Sequence, residues 1–181
     1  MNIVEPIRDK KIIEEFKREL LKRNYRDYMM FIIGINAGLR ISDILSLKVK
    51  DVKDQTHIKI HEKKTGKLKR FKINLHLKSE IDNYITGMSD NDWLFPSRKR
   101  GDKPITRVQA YRILNEVAKK LGIQEIGTHT LRKTFGYWFY KQFKDVAMLQ
   151  EIFNHSSPSI TLRYIGINAD IIDNSIDNFI L

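Results

Sequence analysis

Residues 25–37, YRDYMMFIIGINA, leave this chain few ways to fold. The run is apolar on nearly every side of a helix from Met29 onward, and Gly38 offers a left-handed stop. No apolar run in the chain reaches the roughly 20 residues that cross a bilayer. Such a helix is predicted to be buried by other elements of the same chain.

Apolar spacing predicts those elements. Over 9–23, Ile12, Ile13, Phe16, Leu20 and Leu21 share one helical face, with Asp9 placed to cap it. A short helix, 41–47, follows directly on Arg40. Ile58 and Ile60, then Phe71, Ile73 and Leu75, alternate with polar residues on either side of a Lys-rich turn at Gly66, which predicts a two-stranded hairpin. Helices are predicted over 76–86, 105–121 (closed by Gly122), 129–142, 145–153, 158–164 and 168–180. Phe135, Trp138, Phe139 and Phe143 read as core. No repeat, low-complexity segment or linker interrupts the 181 residues, a length that supports one substantial core. The expected fold is mainly α with a small antiparallel β-hairpin (α+β), as one domain over 1–181.

Charge narrows the partner. Lys and Arg number 33 against 22 Asp and Glu, a formal net charge of +11. That excess calls for an anionic partner, nucleic acid first and a membrane surface second. The chain has no Cys, which excludes thiolate metal sites, disulfides and cysteine nucleophiles. No signal peptide is visible, which points to a cytoplasmic protein.

The segment IGTHTLRKTF (126–135) puts His129 and Arg132 three residues apart at a helix start, with Thr128 or Thr130 to cap it. The exposed N–H groups of such a terminus favour an anion. A His near a cap and a solvated Arg give the same pattern, so other segments have to decide. AGLRISDILSL (37–47) holds Arg40 between a helix end and a helix start. Asp43, three residues on, either orients Arg40 or His129 or simply caps the short helix. KKTGK (63–67) sets Lys64 at a hairpin tip, flanked by Lys63 and Lys67. FNHSSPSITLRY (153–164) puts His155 at a helix boundary and Tyr164 nine residues later.

These residue types suit a phosphodiester. Its transition state gathers charge on equatorial oxygens, to which arginines offer flat forks of donors. A tyrosine hydroxyl, with a pKa of about 10, attacks only with a base or cations beside it. The leaving alkoxide needs a proton, which a mobile lysine supplies. Two arginines do the charge work that metal ions do in nucleases, so no metal and no cofactor are expected.

In this order, GLRISDIL, KKTGK, HTLRKTF, NHSSPSITLRY and a short helical tail resemble the catalytic domain of the tyrosine recombinases, the phage integrase family, over about residues 6–180. The resemblance implies that Arg40 and Arg132 clamp the scissile phosphate and that His129 and His155 hydrogen-bond it. It further implies that Lys64 protonates the leaving 5′ oxygen, that Tyr164 is the nucleophile and that Asp43 stands behind the pocket. The implied function is a site-specific DNA recombinase or integrase of a mobile element, working through a 3′-phosphotyrosyl intermediate without metal or ATP. A type IB topoisomerase-like relaxing enzyme and a non-catalytic DNA-binding regulator with this fold are the alternatives.

The implied partner is double-stranded DNA, with a homotetramer on DNA, a monomeric free form allowed, and no membrane. The implied place is the cytoplasm, for a bacterial or phage-encoded protein associated with the nucleoid. On this reading the basic hairpin residues Lys59, Lys63, Lys67, Lys69 and Arg70, and the loop residues Arg98, Lys99, Arg100 and Lys103, contact the DNA backbone. The N-terminal core-binding domain of the family is expected to be absent, since Met1 lies almost at the catalytic domain. The tail carries Ile167, Ile171, Ile172, Ile176, Phe179 and Ile180 at helical spacing and either packs on its own domain or docks on a neighbouring protomer. Asn154 stands where the family often has Gly, and a left-handed turn is expected there.

Overall fold

The computed structural model describes residues 4–61, 66, 68–99, 102–124 and 126–180, with the backbone alone at 175. Helix α2 (Tyr25–Ala37) is buried as expected: Met29, Met30, Phe31, Ile32 and Ile33 are all sealed from solvent. Around it pack α1 (Lys10–Arg23), α4 (Leu75–Tyr84) and α6 (Thr130–Phe143). Phe16 of α1 stacks on Phe31 at 5.0 Å between ring centres. Asp9 caps α1, its carboxylate accepting from Lys11 N–H at 2.8 Å. Asn24 caps α2 through Asp27 N–H. The Asp27 carboxylate is buried and is held by Arg26, Arg23 and Asn24, as a buried charge must be.

The remaining described elements are α3 (Ile41–Ile44), a 3₁₀ turn at Val49–Asp51, strands β1 (His57–His61) and β2 (Leu68–Lys72), α5 (Arg107–Lys120), α7 (Val146–Phe153), α8 (Pro158–Tyr164) and α9 (Ile167–Asp177). The strands pair antiparallel, with Ile58 opposite Phe71 and both turned into the core. The fold is therefore mainly α with one small hairpin. A second, smaller core of Tyr137, Leu149, Phe153, Ile165 and Ile167 lies under the C-terminal helices.

Several boundaries differ from expectation. The second strand stops at Lys72 because Asn74 caps α4, its side chain accepting from Leu77 N–H at 2.8 Å. Leu75 thus opens a helix and is 92% exposed instead of facing the core. The helix expected over 41–47 is a single turn, and α5 begins two residues later than expected, where Thr106 caps it. Neither Thr128 nor Thr130 caps α6: its N-cap is His129, without a side-chain bond, and Thr130 Oγ1 accepts from Gly127 N–H instead. Phe143 is 58% exposed, because the last turn of α6 overhangs an open groove. Asn154 is left-handed as expected (φ 55, ψ 47). Among the described residues no helix is long and apolar enough to cross a membrane.

Candidate active site

Tyr164 is the last residue of α8, a short helix that starts sharply because Pro158 fixes the first position and Ser157 Oγ accepts from Ile160 N–H. The Tyr164 ring rests edge-on against Phe153, 5.5 Å between centres. Its hydroxyl lies 3.3 Å from His129 Nδ1. The His155 ring flanks it at 5.1 Å, and the Lys133 ammonium stands 5.2 Å from its ring centre.

Arg132 is 4% exposed and ties this site to the core. Its guanidinium donates to the carbonyl oxygens of Gly38, at the end of α2, and of Phe153, at the end of α7. It also lies 4.2 Å over the Phe153 ring. Gly38 is left-handed (φ 64), and a Cβ there would stand 2.5 Å from Phe135 Cδ1. That turn delivers Arg40 to the head of α3 as an exposed side chain. Asp43 sits in the first turn of the same helix, its N–H donating to Arg40 O at 2.9 Å. His155 follows the Asn154 turn and is fixed by Gln150: each residue donates to the other's carbonyl, at 3.1 Å both ways. His155 Nδ1 lies 3.0 Å from Thr161 Oγ1.

The structure thus brings Arg132, His129, His155 and Tyr164 together, with Arg40 near enough to act on three of them electrostatically. Lys64, Lys63, Lys67 and Arg100 lie outside the described residues. Lys59 and Arg70 are exposed on the hairpin. Arg98, Lys99 and Lys103 are exposed on a loop closed by Ser97 N–H to Lys103 O at 2.9 Å. Lys69 is nearer the site than a surface contact requires: its ammonium donates to Ile152 O at 3.4 Å, and its charge reaches His155. Sequence reasoning missed Lys133 and Arg107. Lys133 was masked by its neighbour Arg132, and Arg107, the first residue of α5, reaches His129 only through the fold.

Burial pushes the Tyr164 hydroxyl above its ordinary value, while Arg132 and Arg40 pull it back down. Burial also lowers the His129 imidazole, followed by the charges of Arg107, Arg132, Lys133 and Arg40. His155 is lowered by burial, Arg132, Arg40 and Lys69. Both imidazoles are thus held below their ordinary value, and a His129 that carries its proton on Nε2 presents Nδ1 as an acceptor to the phenol. Chemically, the site offers cations for an oxyanion beside a hydroxyl that has a base.

Both histidines are expected to titrate below the ordinary value of about 6.5. Protons then bind the unfolded chain first, so stability is full above that value and is lost as pH falls through the folded-state values. An NMR titration of the ring protons, run beside urea melts from neutral to mildly acid pH, checks both statements. Midpoints at or above the ordinary value would contradict them.

The family model "Phage integrase family" matches residues 9–170. The chain is 57% identical over 170 residues to "Probable integrase/recombinase YoeC" of Bacillus subtilis, covering 94% of this chain and 93% of that one. It is 29% identical to "Tyrosine recombinase XerA" of Pyrococcus furiosus over 88% of this chain but only 55% of XerA. Among solved structures, the XerA recombinase superposes with a TM-score of 0.74 at 22% identity, covering 90% of this chain and 60% of that one. The XerH site-specific recombinase bound to palindromic difH substrate gives 0.73 at 21%, covering 98% of this chain and 54% of that one. The chain thus spans nearly all of YoeC and a little over half of the Xer recombinases, whose structures share its fold. With the family model matched over most of its length, this chain belongs to the phage integrase family of tyrosine recombinases, which are DNA strand-transferring enzymes.

Proposed function

We propose that this site-specific recombinase cleaves and rejoins double-stranded DNA through a 3′-phosphotyrosyl intermediate on Tyr164. The observation that carries this is the Tyr164 hydroxyl, 3.3 Å from His129 Nδ1 and in the field of Arg132 and Arg40. Tyr164 Oη attacks the phosphorus and passes its proton to His129. The bond to the 5′ oxygen breaks, and Lys64 gives that oxygen its proton. Arg40, Arg132 and His155 bind the oxygens that gather charge, and Asp43 steadies the pocket from behind. The phosphotyrosine keeps the energy of the broken bond, so rejoining by a 5′ hydroxyl needs neither ATP nor metal. XerH is a relative solved on its DNA, which supports DNA as the partner here.

Lys59, Lys63, Lys67, Lys69 and Arg70 from the hairpin, with Arg98, Lys99, Arg100 and Lys103 from the loop, hold the backbone. Binding resting on such contacts weakens steeply with salt. The domain acts as one catalytic unit, assembled as a tetramer on DNA at the nucleoid. Its tail supports that assembly: Ile171, Ile172, Ile176, Phe179 and Ile180 are all more than half exposed. A groove of about 950 Å³ lined by Leu68, Phe135, Phe139, Phe143, Met148 and Ile152 offers a second copy's tail an apolar seat. Ile176→Asp is expected to abolish assembly on DNA, read by light scattering of the complex, while single-site strand cleavage stays within about threefold. Equal loss of cleavage would contradict docking in trans. The chemistry is tested by isolating the covalent protein–DNA adduct formed in EDTA: attachment at Tyr164 is expected, and attachment at any other residue would overturn the proposal.

A further inference from the structure

Residues 4–9 form a strap that the chemistry above leaves unused. It is pinned along α6: Ile7 N–H donates to Thr134 Oγ1 at 2.9 Å, and Trp138 Nε1 donates to Ile7 O at 2.9 Å. The next side chain, Arg8, turns towards the nucleophile's helix. Its Nη2 donates to Glu5 Oε2 at 2.7 Å, its Nε to Asp170 Oδ1 at 3.0 Å, and Nη2 again to Gly166 O at 3.4 Å. Gly166 is two residues past Tyr164 and caps α9, and Asp170 lies in the first turn of that helix.

We propose that Arg8, held between Glu5 and Asp170, is a positioning residue for the Tyr164 hydroxyl; this rests on Tyr164 being the nucleophile. Two routes run from the cluster to the phenol. The first is the chain itself: Ile165, between Tyr164 and Gly166, is wholly buried, so α8 and the Gly166 turn move together. Gly166 is left-handed (φ 78), and a Cβ there would stand 2.5 Å from Arg8 Nη2, so the guanidinium fills the space that a side chain would take. The second route is Lys133. Glu5 and Arg8 act on its ammonium with opposite sign, and that ammonium faces the Tyr164 ring at 5.2 Å. Partly exposed ion pairs add little to stability. A cluster that merely stapled the tail would therefore hardly touch the rate. A misplacement of about 1 Å at a nucleophile costs on the order of 10²-fold.

The test uses the full chain with a sequence-randomised pool of nicked duplexes in EDTA, measuring single-turnover formation of the covalent protein–DNA adduct beside DNA affinity and melting temperature. Arg8→Ala is expected to slow adduct formation roughly 10- to 100-fold with affinity within about twofold and melting nearly unchanged. Arg8→Lys, a single donor head in place of a fork, should recover only part of the rate. Asp170→Asn should slow the reaction in the same sense, and the double variant should be no slower than Arg8→Ala, since the two act as one unit. An unchanged rate in Arg8→Ala overturns the proposal, as does a rate lost only in step with affinity or melting. If Arg8→Ala does not fold, Asp170→Asn alone decides by the same rate criterion. A wild-type adduct that is absent in Tyr164→Phe but normal in Arg8→Ala sinks this inference and leaves the nucleophile standing. No wild-type adduct, or one that survives in Tyr164→Phe, removes the nucleophile and this inference with it.

Discussion

Arg132→Ala is expected to lower both the stability of the fold and the rate of strand cleavage. In the native protein the buried guanidinium donates to Gly38 O and Phe153 O, so it joins the end of α2 to the end of α7. Truncation leaves two buried carbonyls without that donor, at roughly 1–3 kcal/mol each. About 2–4 °C per kcal/mol is usual for a domain of this size, so the melting temperature should fall by roughly 4–24 °C. On the reading proposed above the phosphate also loses a donor, worth on the order of 10²–10³ in rate. Arg132→Lys should restore part of the stability and little of the rate, because one ammonium cannot reach both carbonyls and a phosphate. Thermal melts and single-turnover cleavage on the same preparations separate the two losses. A variant that melts like wild type would show that the two carbonyl contacts do not hold the helix ends together.

Tyr164→Phe is the complement: a large chemical effect with a small structural one. The phenyl ring keeps its contacts with Phe153, His155 and Lys133. Only the hydroxyl is lost, and with it the approach to His129 at 3.3 Å. Stability should stay within about 1 kcal/mol. Strand cleavage should fall below detection, while DNA still shifts the protein on a gel. Cleavage that persists in this variant would mean that another group attacks.

Much of the helical frame was legible in the sequence, for physical reasons. α2 is apolar nearly all round, and only burial accommodates that. Asp9 and Gly38 punctuate the chain with groups whose local chemistry does not depend on the rest of the fold. The failures sit where a second signal, a local cap or the tertiary packing, overrides the pattern being read. Leu75 continues the alternation of Phe71 and Ile73, yet Asn74 has already begun a helix. Phe143 has core spacing, but spacing does not show that the groove beneath it is open.

The candidate site divides in the same way. Sequence motifs pick out residue types at given spacings. They cannot show that His129 meets Tyr164 across 35 positions, or that Arg132 turns its fork onto two backbone carbonyls. Arg107 and the Arg8 cluster were invisible, because they belong to no motif and act only through packing, and Lys133, though inside HTLRKTF, was masked by its neighbour Arg132. The tail was readable as apolar, but not its exposure: Ile167 is buried while the rest of its stripe faces solvent.

In the proposed reaction Tyr164 itself becomes joined to DNA. The most direct measurement incubates the wild-type chain with the randomised nicked duplexes in EDTA, denatures the mixture, digests the adduct and sequences the modified peptide by mass spectrometry. A denaturant-resistant adduct is expected to form without divalent metal, with a 3′ phosphate esterified to Tyr164. An adduct on any other residue, or strand breaks that appear only when magnesium is restored and leave no protein attached, would contradict that reaction.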